Sequence, residues 1–238
     1  MNIPAADFFI YSFLLLGAVL SFTTGKLTLS GAITGFIVGL LIYKGAGYMG
    51  IAMLSIFFIA GSWSTSWQLN KKAAIGTAEK NKGRRTAGQV LANGGTAALL
   101  GAVAWYIPDK AQIIQLMIAG SFAAAIADTL SSELGTVYGS KFFNILTFKK
   151  DECGLDGVIS LEGTLIGLFG ATVIAMIYAI HDSWTISICW IILAGFIGNL
   201  VDSVLGAWLE REELIGNNVV NFLNTISGAM VCYLFINF

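Results

Sequence analysis

Apolar stretches of near-membrane length follow one another along almost the whole chain: 8–23, 28–43, 47–66, 89–107, 112–132, 159–180, 185–207 and 218–237. A helix needs roughly 17–25 such residues to cross the hydrocarbon layer. No water is available there, so each backbone N–H and C=O must be paired within its own segment. The fold class that follows is all-α, a polytopic transmembrane helix bundle of about eight helices. The second stretch is short enough to be tilted or partly re-entrant, which makes seven the alternative count. Charged residues make up only 11% of the chain, against about 25% in soluble domains. The 238 residues therefore read as one transmembrane domain, with 67–88 and 133–158 as its long polar loops. The start of the chain lacks the basic region of a cleaved signal, so the first apolar helix is expected to be retained.

Lys and Arg orient the bundle. Alternate loops 24–27, 67–88, 133–158 and 208–217 hold eleven of them, whereas the other side has only Lys44 and Lys110. By the positive-inside rule the long loops face the cytoplasm and both termini face out. The net charge of −1 supplies no field for nucleic acid. Cys153, Cys189 and Cys232 are widely spaced, without a CxxC or a partner histidine set. They form neither a zinc site nor a disulfide framework.

The costly residues are the acids. "AAAIADTLSSELG" places Asp128 in an apolar run with Ser131, Ser132 and Glu133 beyond it, and a lone carboxylate at mid-membrane costs about 2.5–3.5 kcal/mol or more. "GNLVDSVLG" sets Asn199 and Asp202 at i, i+3, and "NNVVNFLNTISG" aligns Asn218, Asn221 and either Asn224 or Thr225. Gln89, Asn93 and Thr96 share a face of the 89–107 stretch, and "GLDGVISLEGT" brings Asp156, Ser160 and Glu162 in from a loop. One asparagine or serine is ordinary interhelical glue. Several carboxylates at the same ends of consecutive helices require a cation or a wet cleft. "ADTL" and "VDSV" also echo one another faintly, as two helix pairs around one site would.

"KNKGRRTAGQ", 80–89, carries Lys80, Lys82, Arg84 and Arg85 into a helix that Thr86 can cap. Helix N-termini and arginine forks both bind phosphate. Acids and cations at one interface mark a metal–phosphate site, and Mg²⁺ is the cation that pairs carboxylates with phosphate oxygens. No GxxxxGK[ST] motif occurs, which excludes a P-loop.

"KGRRTAGQVLANGG", "ADTLSSELG", "GLDGVISLEGTLIGLFGA", "GNLVDSVLGA" and "NNVVNFLNT" together resemble the blocks of the DUF92/TMEM19 membrane proteins, in the same order from about residue 24 onward. That family includes plant phytyl-phosphate kinases of tocopherol synthesis. The resemblance implies an Mg²⁺-dependent phosphotransferase that converts a phytyl or polyprenyl (isoprenoid) monophosphate to the diphosphate. A nucleoside triphosphate would be the donor, and CTP is expected because related prenol and dolichol kinases use it. It implicates Arg84, Arg85, Gln89, Asn93, Asp128, Ser132, Glu133, Asp156, Asp202, Asn218, Asn221 and Asn224. On this reading Asp128, Glu133, Asp202 and Asp156 bind Mg²⁺. Lys82, Arg84 and Arg85 hold phosphate, Arg84 acting in catalysis, and the amides orient oxygens. The tail lies between helices in the bilayer, and the site faces the cytoplasm. An ion-coupled transporter and a CDP-alcohol-type membrane transferase are the alternatives.

Overall fold

The apolar stretches do fold as helices, and the computed structural model describes them over residues 5–77 and 83–235. In chain order they are α1 (Ala5–Thr23), α2 (Leu29–Ser66), α3 (Leu69–Ala74), α4 (Ala87–Tyr106), α5 (Ala111–Tyr138), α6 (Leu161–His181), α7 (Ser187–Leu205) and α8 (Asn217–Leu234). Among the described residues the only sheet pairs β1 (Phe143–Asn144) with β2 (Val158–Ile159), antiparallel, between α5 and α6. The fold is an all-α membrane helix bundle. Leu29–Ser66, Pro108–Tyr138, Leu161–His181 and Ser187–Glu210 are long and apolar enough to span a membrane by length and composition. α8 is diluted by Asn217, Asn218, Asn221 and Asn224.

The second and third stretches form one helical element folded back on itself. Helical geometry holds from Leu29 until Gly47, whose φ of 54° and ψ of −142° break it, a conformation glycine adopts without steric cost. The two legs, 29–46 and 48–66, then run antiparallel: Gly39 lies against Leu54, and Lys26 Nζ donates to Ser66 Oγ at 2.8 Å. The first leg, at about 1.5 Å per residue, is long enough to cross the hydrocarbon layer. With α1, α4, α5, α6, α7 and α8 it completes eight legs among the described residues.

α5 is the axis, packed against α2, α4, α6, α7 and α8. Its alanine run makes this possible: Ala119, Ala123, Ala124, Ala125 and Ala127 are fully buried, and small side chains let neighbouring backbones approach. Glycine completes the close crossings. A Cβ on Gly228 of α8 would lie 2.6 Å from Ala124 Cβ and collide with the Gly120 carbonyl. α4 meets α2 in the same way at Gly101 and Gly45.

The alternation of loops expected from the charge pattern is matched by the packing. Arg85 N donates to Lys26 O, Lys71 Nζ to Val137 O and Arg211 Nε to Asp156 O, so all four basic loops meet at one end. At the other, Lys44 pairs with Asp7, and Gln115 donates to Gly45 O. α5 runs on to Tyr138 where a loop was expected from residue 133. Leu130, Leu134 and Val137 continue its buried stripe at i, i+4, i+7, so apolar packing carries the helix past its polar residues. The expected loop 67–88 likewise contains a helix, α3.

Replacing Gly228 by alanine should lower the thermal stability of the detergent-solubilised protein by about 1–3 kcal/mol, the usual cost of overpacking. Gly17, with nothing within 4 Å of a built Cβ, should accept alanine without loss. Unfolding midpoints of the two variants measured side by side decide the matter.

Candidate functional site

At the basic end, α4, α5, α7 and α8 part around a cavity of about 930 Å³. Asp128 of α5 and Asp202 of α7 enter it facing one another, close enough to interact directly. The stripe on α8 explains how the acids are held. Oriented with its nitrogen toward them, the Asn221 amide donates to Asp128 Oδ2 at 3.2 Å and Asp202 Oδ1 at 3.1 Å. One turn deeper Asn224, 1% exposed, donates to Asp202 Oδ1 at 3.4 Å. Outside the lining, Thr96 and Thr225 join α4 to α8 with a 2.7 Å hydroxyl pair. The i, i+3 and i, i+4 polar spacings therefore converge on one place.

Three helix N-termini surround the acids. α4 begins at Thr86 with a capping box, Gln89 Oε1 accepting from Thr86 N at 2.9 Å. Ser160 caps α6, accepting from Gly163 N at 3.1 Å. α8 starts at Gly216 with no side-chain cap, which leaves first-turn amides for water or a ligand. Thr86, Ser160 and Gly216 all line the cavity, so the positive ends of three dipoles face it. Asn93 and Asn218 complete the wall on α4 and α8.

The two adjacent arginines go opposite ways. Arg85 pairs with Leu27 as an isolated β-bridge, Arg85 N donating to Lys26 O and Thr28 N to Arg85 O. Extended backbone alternates side chains across itself. Arg85 therefore reaches the cavity, its guanidinium 5.3 Å from the Phe57 ring centroid, in space that a side chain at Gly61 would fill. Arg84, expected in catalysis, is exposed outside the cavity lining and donates to Leu27 O at 3.4 Å. Lys82 lies outside the described residues.

The acids expected as one metal-ligand set do not form one. Among the described residues no three of His, Cys, Asp and Glu converge as a metal site. Asp128 and Asp202 stay together, while Glu133 also lines the cavity but is ion-paired to Lys72. Asp156 stands at the exposed rim, where partial burial holds its carboxyl above the usual range against the pull of Arg211. Ser132 lines the wall with its hydroxyl donating back to Asp128 O and Thr129 O. Glu162 lies outside the lining, accepting from Ser140 Oγ.

Two residues that shape the site, Glu210 on its wall and Lys72 behind it, were not singled out from the sequence. Glu210 lies eight residues beyond Asp202, which in an α-helix of 3.6 residues per turn would turn it roughly 80° away. Residues 206–210 form a π-helical turn instead, and its wider i→i+5 spacing takes up the excess, so Glu210 joins the cavity wall. Lys72 comes from the short α3, which no periodicity announces.

The segment 139–160 lies across one side of the cavity, with Leu155, Val158 and Ile159 lining it. Arg211 clamps it: Nη1 meets Asp151 Oδ2 at 2.9 Å, and Nε donates to Asp156 O at 3.0 Å. The Glu152 N–H and then Arg211 hold the Asp151 carboxyl below its usual range.

Comparison with known proteins agrees with this membrane architecture. The profile of the family described as integral membrane protein DUF92 matches residues 12–229. Protein VTE6, chloroplastic, of Arabidopsis thaliana is 32% identical over 87% of this chain and 65% of its own length. The chain therefore spans about two thirds of that relative. An uncharacterized membrane protein of Synechocystis is 32% identical over 82% of this chain and 77% of its own. Another, of Methanocaldococcus jannaschii, is 35% identical over 84% and 82%. No solved structure matches.

Substitution of Arg211 by methionine should free the clamped segment and speed tryptic cleavage after the exposed Lys149 and Lys150 several-fold at pH 8. In the parent protein the depressed folded pKa of Asp151 leaves its contribution complete above the unfolded value and lost only as pH falls through the lower folded one. Amide exchange of 143–151, corrected for intrinsic rate, should thus be unchanged from pH 8 to pH 5.

Proposed function

The chain belongs to the DUF92 family of integral membrane proteins, and from that premise we propose that it is an isoprenoid-phosphate kinase. The acceptor is a phytyl or polyprenyl monophosphate, the donor a nucleoside triphosphate with CTP preferred, and the site faces the cytoplasm. One observation carries the reading: a chamber of about 930 Å³ sets a half-buried acid pair against Arg85 and three helix N-termini. The resemblance to plant phytyl-phosphate kinases supplies the acceptor class.

Charge decides what such a chamber can hold. Asp128, Glu133, Asp156, Asp202 and Glu210 line it, and Glu133 is neutralised by Lys72. The four remaining carboxyl groups outnumber Arg85, so a bare polyphosphate is disfavoured and a cation would accompany it. The donors are all oxygen, and two facing carboxylates with phosphate and water completing the sphere is the habit of Mg²⁺. Asp128 and Asp202 would hold that ion, which supplies charge neutralisation of the donor phosphates when bound.

The residues of the chain then position and balance. Arg85 and the α8 amides face the phosphate oxygens, while Asn221 and Asn224 keep the carboxylates aimed. A bond forms from an acceptor phosphate oxygen to the γ-phosphorus as the bond to the β–γ bridging oxygen breaks, yielding lipid diphosphate and nucleoside diphosphate. The acceptor oxygen is already anionic, so no strong base is needed.

An ion-coupled transporter is the less favoured reading, because toward the other face Ile118, Ala119 and Phe122 of α5 are apolar and fully buried.

Asp128→Asn and Asp202→Asn should each cut transfer by about a thousandfold while leaving insertion intact, because charge neutralisation is the main catalytic term in phosphoryl transfer. Arg85→Ala should raise KM for donor or acceptor far more than Arg84→Ala. The assay uses purified protein, Mg²⁺, isoprenoid phosphates and each of four NTPs, with products read by mass spectrometry. Release of nucleoside monophosphate instead would mark a CDP-alcohol-type transferase. Wild-type turnover by Asp128→Asn would refute the site.

A further inference from the structure

Lys72, 1% exposed, is the one charged side chain that is fully buried among the described residues. Burying an ammonium costs several kcal/mol unless it is paired and hydrogen-bonded. Its Nζ donates to Ser64 O at 2.6 Å and to Glu133 Oε2 at 2.5 Å. Ser64 belongs to the second leg of α2 and Glu133 to α5, so one cation joins three elements. α3 and the turn that leads into it are fastened to the same stretch of α5. Lys71 Nζ donates to Val137 O at 2.6 Å, and Trp67 Nε1 to Tyr138 OH at 2.8 Å.

What α3 supports is the chamber. Thr77, just beyond α3, lines the cavity and sits tight against Gly154 of the clamped segment. Glu133 is therefore a cavity acid whose charge is cancelled from behind, and it acts electrostatically on Asp128. Resting on the function proposed above, we propose that Lys72 is a positioning residue of the phosphate site. It neutralises Glu133 and pins α3 to α5, so that the Asp128–Asp202 pair alone sets the cation affinity and Thr77 stays seated against the cavity-lining segment.

The sign of one effect separates this role from plain structural support. Without Lys72, the Glu133 charge is uncompensated beside the acid pair, and a cation there gains Coulomb attraction. Turnover should fall, because the phosphate-binding wall is no longer held, while divalent binding should strengthen.

The experiment measures Mn²⁺ binding to detergent-purified protein by electron paramagnetic resonance, without substrate, alongside turnover. Circular dichroism and gel filtration confirm that each variant is folded. Lys72→Met should bind Mn²⁺ about tenfold more tightly yet turn over at least tenfold more slowly. Lys72→Met/Glu133→Gln should return Mn²⁺ affinity to the wild-type value, and Lys72→Arg should keep it there. A wild-type protein that binds Mn²⁺ with a Lys72→Met variant of equal or weaker affinity overturns this proposal alone. A wild-type protein that binds no Mn²⁺ overturns the proposed metal site and this role with it. A Lys72→Met variant too unstable to purify leaves Lys72→Arg and Glu133→Gln to decide. Glu133→Gln, which leaves a buried cation unpaired, should then weaken Mn²⁺ binding, and unchanged binding would again overturn the proposal.

Discussion

Two carboxylates, Asp128 and Asp202, sit face to face inside a largely apolar bundle. Everything around them answers that constraint. In hydrocarbon such a pair is untenable, since each charge is expensive alone and the two repel. The chain meets the difficulty with space, amides and oriented dipoles. α5 and α7 bring the acids, α8 brings Asn221 and Asn224 to hold them, and the N-termini of α4, α6 and α8 face the opening.

Close helix packing is the other half of the same solution. Alanine and glycine crossings along α5, at Ala124 with Gly198 and Gly228 for example, bring α7 and α8 near enough for short amide side chains to reach the acids. Bulky residues at those crossings would separate the helices and leave each carboxylate alone. The apolar small residues are thus as much part of the site as the polar ones, because they set the distance over which the polar ones act.

The bundle and its polarity were legible from the chain. Length and hydropathy announce helices because a membrane admits little else, and the Lys/Arg alternation told which loops share an end. Much of the wall was legible too, as Asp128, Asp202, Gln89, Asn93, Asn218 and Asn221 stand at helical spacings that place them on one face each. Where linear pattern failed, the cause is local. Arg84 and Arg85 are indistinguishable in sequence, yet a two-residue bridge to Leu27 sends one out and the other in. Glu210 reaches the wall only through a π-helical turn, and Lys72 arrives on a helix of six residues, too short to show a period.

What the sequence alone determined is therefore the class of the molecule and the cost it carries. It is a helical membrane protein that accepts several acids at one boundary, because hydrophobicity and its periodicity are summed over many residues and survive any particular packing. Which acids stand together was decided only by tertiary structure. Asp128 and Asp202 are 74 positions apart in the chain, and Glu133, five residues beyond Asp128, is claimed by Lys72. Electrostatic energy depends on distances of a few ångströms between side chains from different helices, and no one-dimensional spacing encodes those.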